Sequence, residues 1–503
     1  MTPTRTIAFG LVATLLSGAA AFAQADKTVR IVLNEELDVV EPCMAARSNV
    51  GRVILQNVNE SLTEFVPGES DLKPRLATEW EQVDADTWRF KLREGVKFHD
   101  GSTFDPADVA FTLDRIKTPE FACEVGTKYF GDIDFEVTAV DDTTLEITTK
   151  PGTPILPLLL STVPIQPSET PKAEFTTKPI GTGPYVFDTW DVGQQIVLKR
   201  NPDYWGEQPA VEEAVYVFRA DPAVAAAMVA TGEADIVPNL AVQDATNPET
   251  DFSYFNSETS SLRIDTQVAP TNDRRVREAM NLAIDRDAMK GTIFPADVKP
   301  ATQLVVPTTI GYNHDLEPWP YDPEKAMALI AEAKADGVPV DKEIRIIGRT
   351  NIYPNATESM EAMMAMLQGV GLNVSLQMYD VGEWNKFFVA PFPEPREPTL
   401  TQQMHDNAKG DPVFTAFVKH HTGGAHSMTS DAELDKLIDD ATAASGEERT
   451  KLWEQVFFRA NDTIITDIPM YYMVGFTRVA TRLDFTPTIA TNSELQLAQI
   501  GFK

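Results

Sequence analysis

Residues 80–115 constrain the fold of this chain more than any other stretch, because they contain a strand, a turn and a helix start in that order. Residues 87–93 alternate large apolar side chains with charged ones, which is the two-residue period of a strand with one buried face. Trp88, Phe90 and Leu92 share that face. The alternation therefore predicts a half-buried strand with these three side chains turned inward.

A turn and a capped helix follow this strand. Gly95 accepts positive φ, and residues 99–102 (His-Asp-Gly-Ser) supply the side-chain and backbone chemistry of a reversal. Asp105 is placed to cap a helix, with Pro106 in the first turn, where no N–H donor is needed, and Asp108 at the third helical position. These residues predict a helix that begins at Pro106.

Strand and helix patterns alternate along the rest of the chain. Residues 135–148 read as a β-hairpin, and residues 52–62 read as a helix. Residues 261–266 and 468–474 are two further predicted strands, far apart in sequence. This alternation is typical of α/β proteins, and the chain is too long for one core to serve, so we expect at least two lobes.

Four motifs carry a resemblance to a known family. In this order and spacing they resemble the dipeptide/oligopeptide-binding proteins, extracellular solute-binding protein family 5, across nearly the whole chain after residue 23. The motifs are LATEW…DTWRFKLREGVKFHDGSTFDPADVAFTLDR, GTGPY with NPDYWG, DRRVREA with AIDR, and YDP.

The resemblance implies a fold and a role. We expect an α/β, two-lobed periplasmic binding protein type II-like fold with an extra subdomain in lobe one. The implied role is to capture a peptide or peptide-like small solute between the lobes and deliver it to an ABC permease and its ATPase. The expected division is lobe one at 24–262 plus 474–503, with an inserted subdomain at about 55–190, and lobe two at 263–473.

The N-terminus and the charge fit an exported protein. Residues 1–23 have a short basic start, an apolar run and Ala21-Phe22-Ala23, which predicts a cleaved secretory signal and a periplasmic location.

The chain has 75 Asp and Glu against 43 Lys and Arg, for a formal net charge of −32. Such an excess repels nucleic acid and anionic lipid and favours a soluble monomer. It predicts a solvated acidic surface, with attraction of cationic ligands as the alternative.

Cys43 and Cys123 are the two cysteines of the chain. An exported compartment permits a disulfide between them, but residues 80 apart cannot be paired without geometry. The sequence leaves the pairing open.

Several residues are candidates for contact with a ligand. Arg349 lies just after a predicted strand of lobe two, and α/β proteins bind ligands at the carboxyl ends of their strands. Its guanidinium could bind the carboxylate of a ligand through two hydrogen bonds. The alternative is an ion pair with a nearby Asp or Glu. Tyr353 is expected in the same crevice. Trp384 stands where the family places an aromatic residue near the cleft, with core packing as the alternative. Arg47 is the corresponding candidate on lobe one. The alternative interpretation of Arg47 is a charged side chain in contact with solvent.

Residues 404–412 resemble the family's Asp-Pro turn, which in peptide binders follows a tryptophan and an aspartate for the ligand's α-ammonium. Asp411 and Pro412 are present, but Ala408 occupies the place of that aspartate and the tryptophan is absent. Asp406 could substitute, so Asp406 and Asp411 are both candidates. The departure also admits a sugar conjugate, an opine or another non-peptide solute.

Other chemistries have less support. Four of the six histidines, His405, His420, His421 and His426, fall within one window, so a metal site or a nickel chelate is an alternative, with a polar loop as the simpler interpretation. No hydrolase elbow, zinc-protease motif or phosphate loop occurs, which argues against a secreted hydrolase, the competing class. We expect no enzymatic activity and no cofactor.

Overall fold

The computed structural model describes residues 27–65, 72–131, 133–407, 410–444, 446–488, 491 and 494–503. The predicted signal peptide, with Ala21-Phe22-Ala23, and Ala408 lie outside the described residues, so the signal stays a prediction. Within these ranges no helix combines the length and apolar character that crossing a membrane requires.

The strands of the described residues form one large sheet and several small ones. They are β1 (Thr28–Leu33), β2 (Thr63–Phe65), β3 (Leu72–Pro74), β4 (Ala77–Gln82), β5 (Thr87–Leu92), β6 (Asp134–Ala139), β7 (Thr144–Lys150), β8 (Tyr185–Asp191), β9 (Gln195–Arg200), β10 (Glu213–Phe218), β11 (Ile236–Val237), β12 (Asp251–Ile264), β13 (Lys299–Pro300), β14 (Ile344–Arg349), β15 (Val374–Tyr379), β16 (Thr399–Asp406), β17 (Asp467–Val479), β18 (Leu483–Asp484) and β19 (Gly501–Phe502).

The helices pack on these sheets or on one another. They are α1 (Ser48–Ile54), α2 (Pro106–Ile116), α3 (Glu124–Tyr129), α4 (Leu156–Leu160), α5 (Pro222–Ala230), α6 (Arg274–Leu282), α7 (Pro323–Ala335), α8 (Ala356–Gly369), α9 (Val381–Phe388), α10 (Val413–His420), α11 (Ala432–Ala443) and α12 (Gly446–Phe458).

The large sheet runs through both halves of the molecule in the order β15-β14-β16-β12-β17-β11-β1-β10-β9-β8, with β13 also paired to β17. We call the part built on β1 and β8–β11 lobe one, and the part built on β14–β16 lobe two. The long strands β12 and β17 lie between them and pair antiparallel. The two-lobed α/β fold is thereby confirmed. The predicted boundaries, 262/263 and 473/474, fall inside these two strands and stay predictions.

The signature stretch folds as its local chemistry predicts. Strand β5 lies in a four-stranded antiparallel sheet, β4-β5-β7-β6, and Phe90 is fully buried there. The Asp105 side chain accepts a hydrogen bond from the Ala107 N–H at 2.7 Å, and Asp108 accepts one from the Asp105 N–H at 2.9 Å. This reciprocal cap fixes the start of α2. We refer to this sheet with α2 and α3 as the subdomain.

A disulfide and a buried ion pair hold the subdomain to the loop after β1. Cys43 and Cys123 are bonded, with their Cα atoms 5.3 Å apart, which answers the question that the sequence left open. Arg115 on α2 binds Glu41 through two bonds of 2.8 and 3.1 Å, and both side chains are fully buried. These links fix the position of α3, which begins directly after Cys123.

The predicted helix at 52–62 is wrong beyond its first residues. Helix α1 ends at Ile54, and Gln56 adopts a positive φ of 58°. The buried amide of Asn59 donates to the carbonyls of Ile165 and Ile180, both at 2.9 Å. These long-range bonds replace the intrahelical ones, so tertiary contacts override a pattern that looks helical locally.

The pairing of β12 with β17 is interrupted at one point. Residues 256–258 form an irregularity between Phe255, opposite Val474, and Thr259, opposite Tyr472. A bulge of this kind bends a strand and breaks its ladder of hydrogen bonds. The irregularity lies between the segment of β12 that meets only β17 and the segment that also pairs with β16.

Helix α10 contacts both halves of the molecule. Phe414 belongs to the core of the subdomain and packs edge-on against Tyr129 of α3, with ring centroids 5.0 Å apart. Ala416, two residues later, belongs to a separate core formed with α11 and α12. This helix therefore lies across the gap between lobe one and lobe two.

Candidate functional site

A cavity lies between the two lobes, next to the irregularity in β12. Its volume is about 110 Å³. Lobe one supplies the loop before α1, and the subdomain supplies α3. Lobe two supplies the end of β14, the end of β16 and one face of α9, while α10 and the loop after it complete the wall.

One ion pair bridges the lobes at the rim of this cavity. Arg349, the last residue of β14, donates from Nη2 to Glu35 Oε1 at 2.6 Å, and Glu35 lies in the loop after β1. Burial raises the pKa of the Glu35 carboxyl, although the Arg349 guanidinium opposes that rise. A second bridge joins the same loops, because the Asn34 amide donates to the Asn351 carbonyl at 2.8 Å. The lobes are in contact on this side of the cavity.

Arg47 lines the cavity from lobe one and is already paired. Its Nε donates to Glu124 on α3 at 2.7 Å, and its Nη1 binds Asp38. The guanidinium joins the loop before α1 to the subdomain. Arg47 and Arg349 therefore both reach the cavity with carboxylate partners in place.

Two lysines line the cavity differently. Lys419 on α10 is 4% exposed; its Nζ donates to His426 Nδ1 at 3.2 Å and lies 4.2 Å from the centroid of the Phe388 ring. Half-buried Lys128 on α3 has its Nζ 4.9 Å from the centroid of the Tyr129 ring. Burial lowers the pKa of Lys128, but Tyr129, Glu124 and Asp406 raise it by more, so its pKa lies above the usual value. Burial, followed by the charges of Arg263 and Lys128, holds the pKa of Lys419 well below its usual range.

The aromatic wall of the cavity belongs to α9. Trp384 stacks on Phe388 with centroids 4.0 Å apart and donates from Nε1 to the Gln402 carbonyl at 3.1 Å. The Arg349 guanidinium lies 5.5 Å from the Trp384 ring. Trp384 is thus packed against lobe two on one side and faces the cavity on the other.

Acidic side chains lie where β12 and β16 meet the cavity. Asp406 ends β16 and accepts a hydrogen bond from the Ser257 hydroxyl. Glu258, next to Ser257 in the irregular part of β12, accepts from the Asn256 amide at 3.3 Å. Both carboxylates line the cavity.

Tyr353 and Asp411 lie outside this cavity. Tyr353 is buried in the core of lobe two, where its hydroxyl is 2.9 Å from Ser359 Oγ and accepts from the Gln402 amide at 3.0 Å. Asp411 pairs with Arg449 of α12 at 2.9 Å and accepts from the Val413 N–H at 3.0 Å at the start of α10.

The histidines do not converge on one point. His420 is buried near Thr466, and His421 stacks on Phe417. Of this window only His405 and His426 line the cavity; burial and then the charge of Lys419 hold both pKa values well below the usual range. The described residues contain no group of three or more His, Cys, Asp and Glu that could hold a metal ion.

Three further residues line the cavity although no sequence pattern indicated them: Lys128, Lys419 and Glu258. Lys128 carries no motif, and its position depends on the disulfide before α3. Lys419 had one available signal, since it follows the run Val-Phe-Thr-Ala-Phe-Val of a short, mostly apolar helix in which a lysine is an exception.

Comparisons with known proteins agree with the geometry. Residues 71–406 match the model for bacterial extracellular solute-binding proteins, family 5, middle region. The dipeptide-binding protein of Escherichia coli (strain K12) is 31% identical over 65% of this chain and 66% of its own length. The glutathione-binding protein GsiB of the same strain is 30% identical over 75% and 74%.

Two solved structures share the fold. DppA from Helicobacter pylori, in complex with the peptide STSA, has a TM-score of 0.83 at 20% identity and covers 94% of this chain and 98% of its own. AgaA from A. tumefacien R10, in complex with agropinic acid, has a TM-score of 0.82 at 22% identity and covers 95% and 99%. At these identities the likeness concerns the fold.

Proposed function

Since this chain belongs to the bacterial extracellular solute-binding proteins of family 5, we propose that it captures a peptide or peptide-like small solute between its lobes and delivers it to an ABC importer. The observation that carries the proposal is the cavity itself. Its walls come from both lobes and combine aromatic surface with a few charged groups, as is usual for small-molecule sites. A solute held there contacts both lobes at once, as a closing mechanism requires.

Closure of the lobes is the signal to the importer. A solute that touches both lobes binds the closed state more tightly and shifts the population toward it. The irregularity at residues 256–258 is the proposed point of bending, because the sheet has lost its regular pairing there. The Arg349–Glu35 pair is a contact of the closed state, since its two members come from different lobes.

The partners and the location follow from the family and the predicted signal. The protein acts in the periplasm as a monomer, and a membrane permease with its ATPase takes the solute from the closed form. It releases the solute unchanged, so it is a binding protein and not a hydrolase. Two of the relatives support this role, since they are named for binding a dipeptide and glutathione.

Four of the six candidate residues remain as proposed solute contacts. Arg349, Trp384, Asp406 and Arg47 line the cavity, and the aromatic face of Trp384 offers apolar surface between the charged groups. Tyr353 supports the site indirectly, since it binds the Gln402 amide whose oxygen accepts from the Arg349 N–H at 2.7 Å. Asp411 positions α10.

A ligand panel tests the proposal. Dipeptides, tripeptides, glutathione, opines, sugar conjugates and nickel chelates are each added while the melting temperature is measured. A true ligand stabilises the protein in proportion to the logarithm of its concentration. High-performance liquid chromatography of each mixture then measures whether the ligand is consumed.

Two variants on the same helix locate the binding. Asn385→Trp fills the cavity from α9, whereas Lys386→Trp places the same ring on its exposed neighbour, whose ammonium binds Glu383. We expect stabilisation by a ligand to disappear in Asn385→Trp and to persist in Lys386→Trp. Catalytic consumption of a ligand, or a panel in which no member stabilises the wild type, contradicts the proposed function.

A further inference from the structure

A second cavity lies between the lobes, beside the contact that Glu35 and Arg349 make. Its volume is about 30 Å³, against about 110 Å³ for the cavity described above. Lobe one lines it with the ends of β1 and β11, the loop after β10 and the start of α5, and lobe two lines it with residues 351, 353 and 354. We call this space the side cavity and the larger one the main cavity.

The two cavities share a wall that is built from one short segment of each lobe. In lobe two, Arg349 and Ile352 line the main cavity, whereas residues 351, 353 and 354 line the side cavity. In lobe one, Asn34 lines the side cavity, and Glu35 follows it in the chain. Neighbouring residues of the same segments therefore border different cavities.

Two bonds between the lobes hold this wall together. Arg349 donates from Nη2 to Glu35 Oε1 at 2.6 Å, and the Asn34 amide donates to the Asn351 carbonyl at 2.8 Å. The Arg349 guanidinium also lies 5.5 Å from the Trp384 ring, so it is held between that ring and Glu35. A solute that extends from the main cavity into the side cavity has to break both bonds.

The side cavity is able to receive one end of a longer solute once the wall is broken. Val32 and Val237 give it apolar surface, and the side-chain amides of Asn34 and Asn239 give it polar groups. Such a mixture suits a peptide, whose backbone needs hydrogen-bond partners beside its apolar contacts. At the outer end the cavity is bordered by exposed residues 219, 220 and 222, so a long solute can continue into solvent.

We propose that Asn34 and Glu35 limit the length of the solute, because their bonds to lobe two end the main cavity. This inference rests on the proposed function and names its substrate class as dipeptides and solutes of similar length. An extended chain grows by about 3.4 Å per residue, so a tetrapeptide needs about 7 Å of space beyond the wall. It obtains that space only by breaking one partly exposed ion pair and one hydrogen bond.

The test compares peptides of the same composition and different length. Dialanine and tetra-alanine form one pair of probes, and alanyl-phenylalanine with trialanyl-phenylalanine forms the second pair. Affinities are measured by isothermal titration calorimetry at pH 7. We expect the dipeptide of each pair to bind the wild type about tenfold or more tightly than the tetrapeptide, since the tetrapeptide breaks the two bonds of the wall.

The double variant Asn34→Ala/Glu35→Ala removes both lobe-one partners and joins the two cavities. We expect the affinities of the two lengths to come within about twofold of each other. The ratio is the measured quantity because any general loosening of the closed form affects both peptides. Glu35→Ala alone should shift the ratio part of the way, so the test does not depend on the double variant. Glu447→Ala, which removes a carboxylate from an exposed pair on α12, is the matched control and should keep the wild-type ratio.

Two tryptophan substitutions in the double variant show where the longer peptide lies. Ala220 is exposed and lines the side cavity, whereas Ala223 is exposed on the first turn of α5 and is not part of the lining. We expect Ala220→Trp to restore the preference for the dipeptide and Ala223→Trp to leave the ratio of the double variant unchanged.

The possible failures are distinguishable. If tetrapeptides bind the wild type as tightly as dipeptides, the inference is wrong while the proposed function stands. If the preference persists in Asn34→Ala/Glu35→Ala, or if Ala220→Trp does not restore it, the wall does not set the length and the inference is again overturned. If no peptide of either length binds the wild type or the double variant, the proposed capture of peptides fails with it.

Discussion

The Arg115–Glu41 pair in the subdomain and the Arg349–Glu35 pair at the cavity are both arginine–glutamate contacts, yet they differ in what surrounds them. Arg115 and Glu41 are fully buried, and Arg115 also donates to the carbonyls of Pro171 and Glu174. Arg349 and Glu35 are 16% and 21% exposed, and no residue in the described part of the chain forms a hydrogen bond with the Arg349 Nε. A buried ion pair whose polar groups all have hydrogen-bond partners is suited to a permanent contact. A partly solvent-exposed ion pair between two lobes can break and form again when the lobes move.

Breaking the subdomain pair is the strongest way to test this contrast. Arg115→Met leaves the Glu41 carboxylate buried without its arginine, so we expect the free energy of unfolding to fall by about 3–5 kcal/mol. Urea unfolding followed by circular dichroism measures the loss. Arg349→Met is the matched substitution at the cavity, and an equal loss in the two variants would contradict the distinction.

The disulfide of the subdomain should come next in magnitude. Replacing Cys43 and Cys123 with serine opens a link across 80 residues, and we expect a loss of about 2–5 kcal/mol in the free energy of unfolding. Solute affinity should fall as well, because α3 carries Glu124 and Lys128 into the cavity directly after Cys123. Treating the wild type with a reductant should reproduce both effects. Unchanged solute affinity in the serine variant and in the reduced wild type would show that α3 does not contribute to the binding site.

Acidification should destabilise the protein through two histidines that line the cavity. Burial holds the pKa values of His405 and His426 well below 6.5. Below pH 6.5 the two histidines are therefore protonated in the unfolded chain but not in the folded chain. The free energy of unfolding should therefore fall as the pH drops from 7 to 5, by about 1.4 kcal/mol per pH unit for each such histidine below pH 6.5. The double variant His405→Gln/His426→Gln should flatten this dependence; an unaltered slope would place its origin elsewhere.

The pair at the cavity should have the smallest effect on stability. Glu35→Gln removes the charge from a partly exposed contact, so we expect the free energy of unfolding to change by about 1 kcal/mol or less. Because the pair joins the lobes, small-angle X-ray scattering should show a larger radius of gyration for the ligand-free variant than for the wild type. The exposed pair variant Glu447→Gln on α12 should leave the scattering unchanged, and identical curves for all three proteins would exclude the cross-lobe role.

The regions that sequence reasoning described well are those governed by neighbours in the chain. The cap of α2 depends on Asp105 and Asp108, which are three residues apart, and an isolated peptide has the same chemistry. The helix predicted at residues 52–62 failed because Asn59 finds its partners more than one hundred residues away. No local pattern contains that information.

The candidate site divides in the same way. Arg349 and Trp384 could be proposed from their places after a strand and near a cleft, and the structure puts both on the cavity. The partner of Arg349 lies 314 residues away, and the burial of Lys419 depends on Phe388 and His426 from other segments. Charge balance inside a cavity is a property of the assembled molecule, so it could not be predicted from one segment.

Strands β12 and β17 have a consequence for how the molecule melts. Both strands belong to the sheet that runs through the two lobes. Unfolding of lobe two would remove β16, the partner of β12, and unfolding of lobe one would remove β11, a partner of β17. Neither half can unfold without exposing backbone groups of the other. The two lobes should therefore behave as a single thermodynamic unit, with one calorimetric transition in place of two.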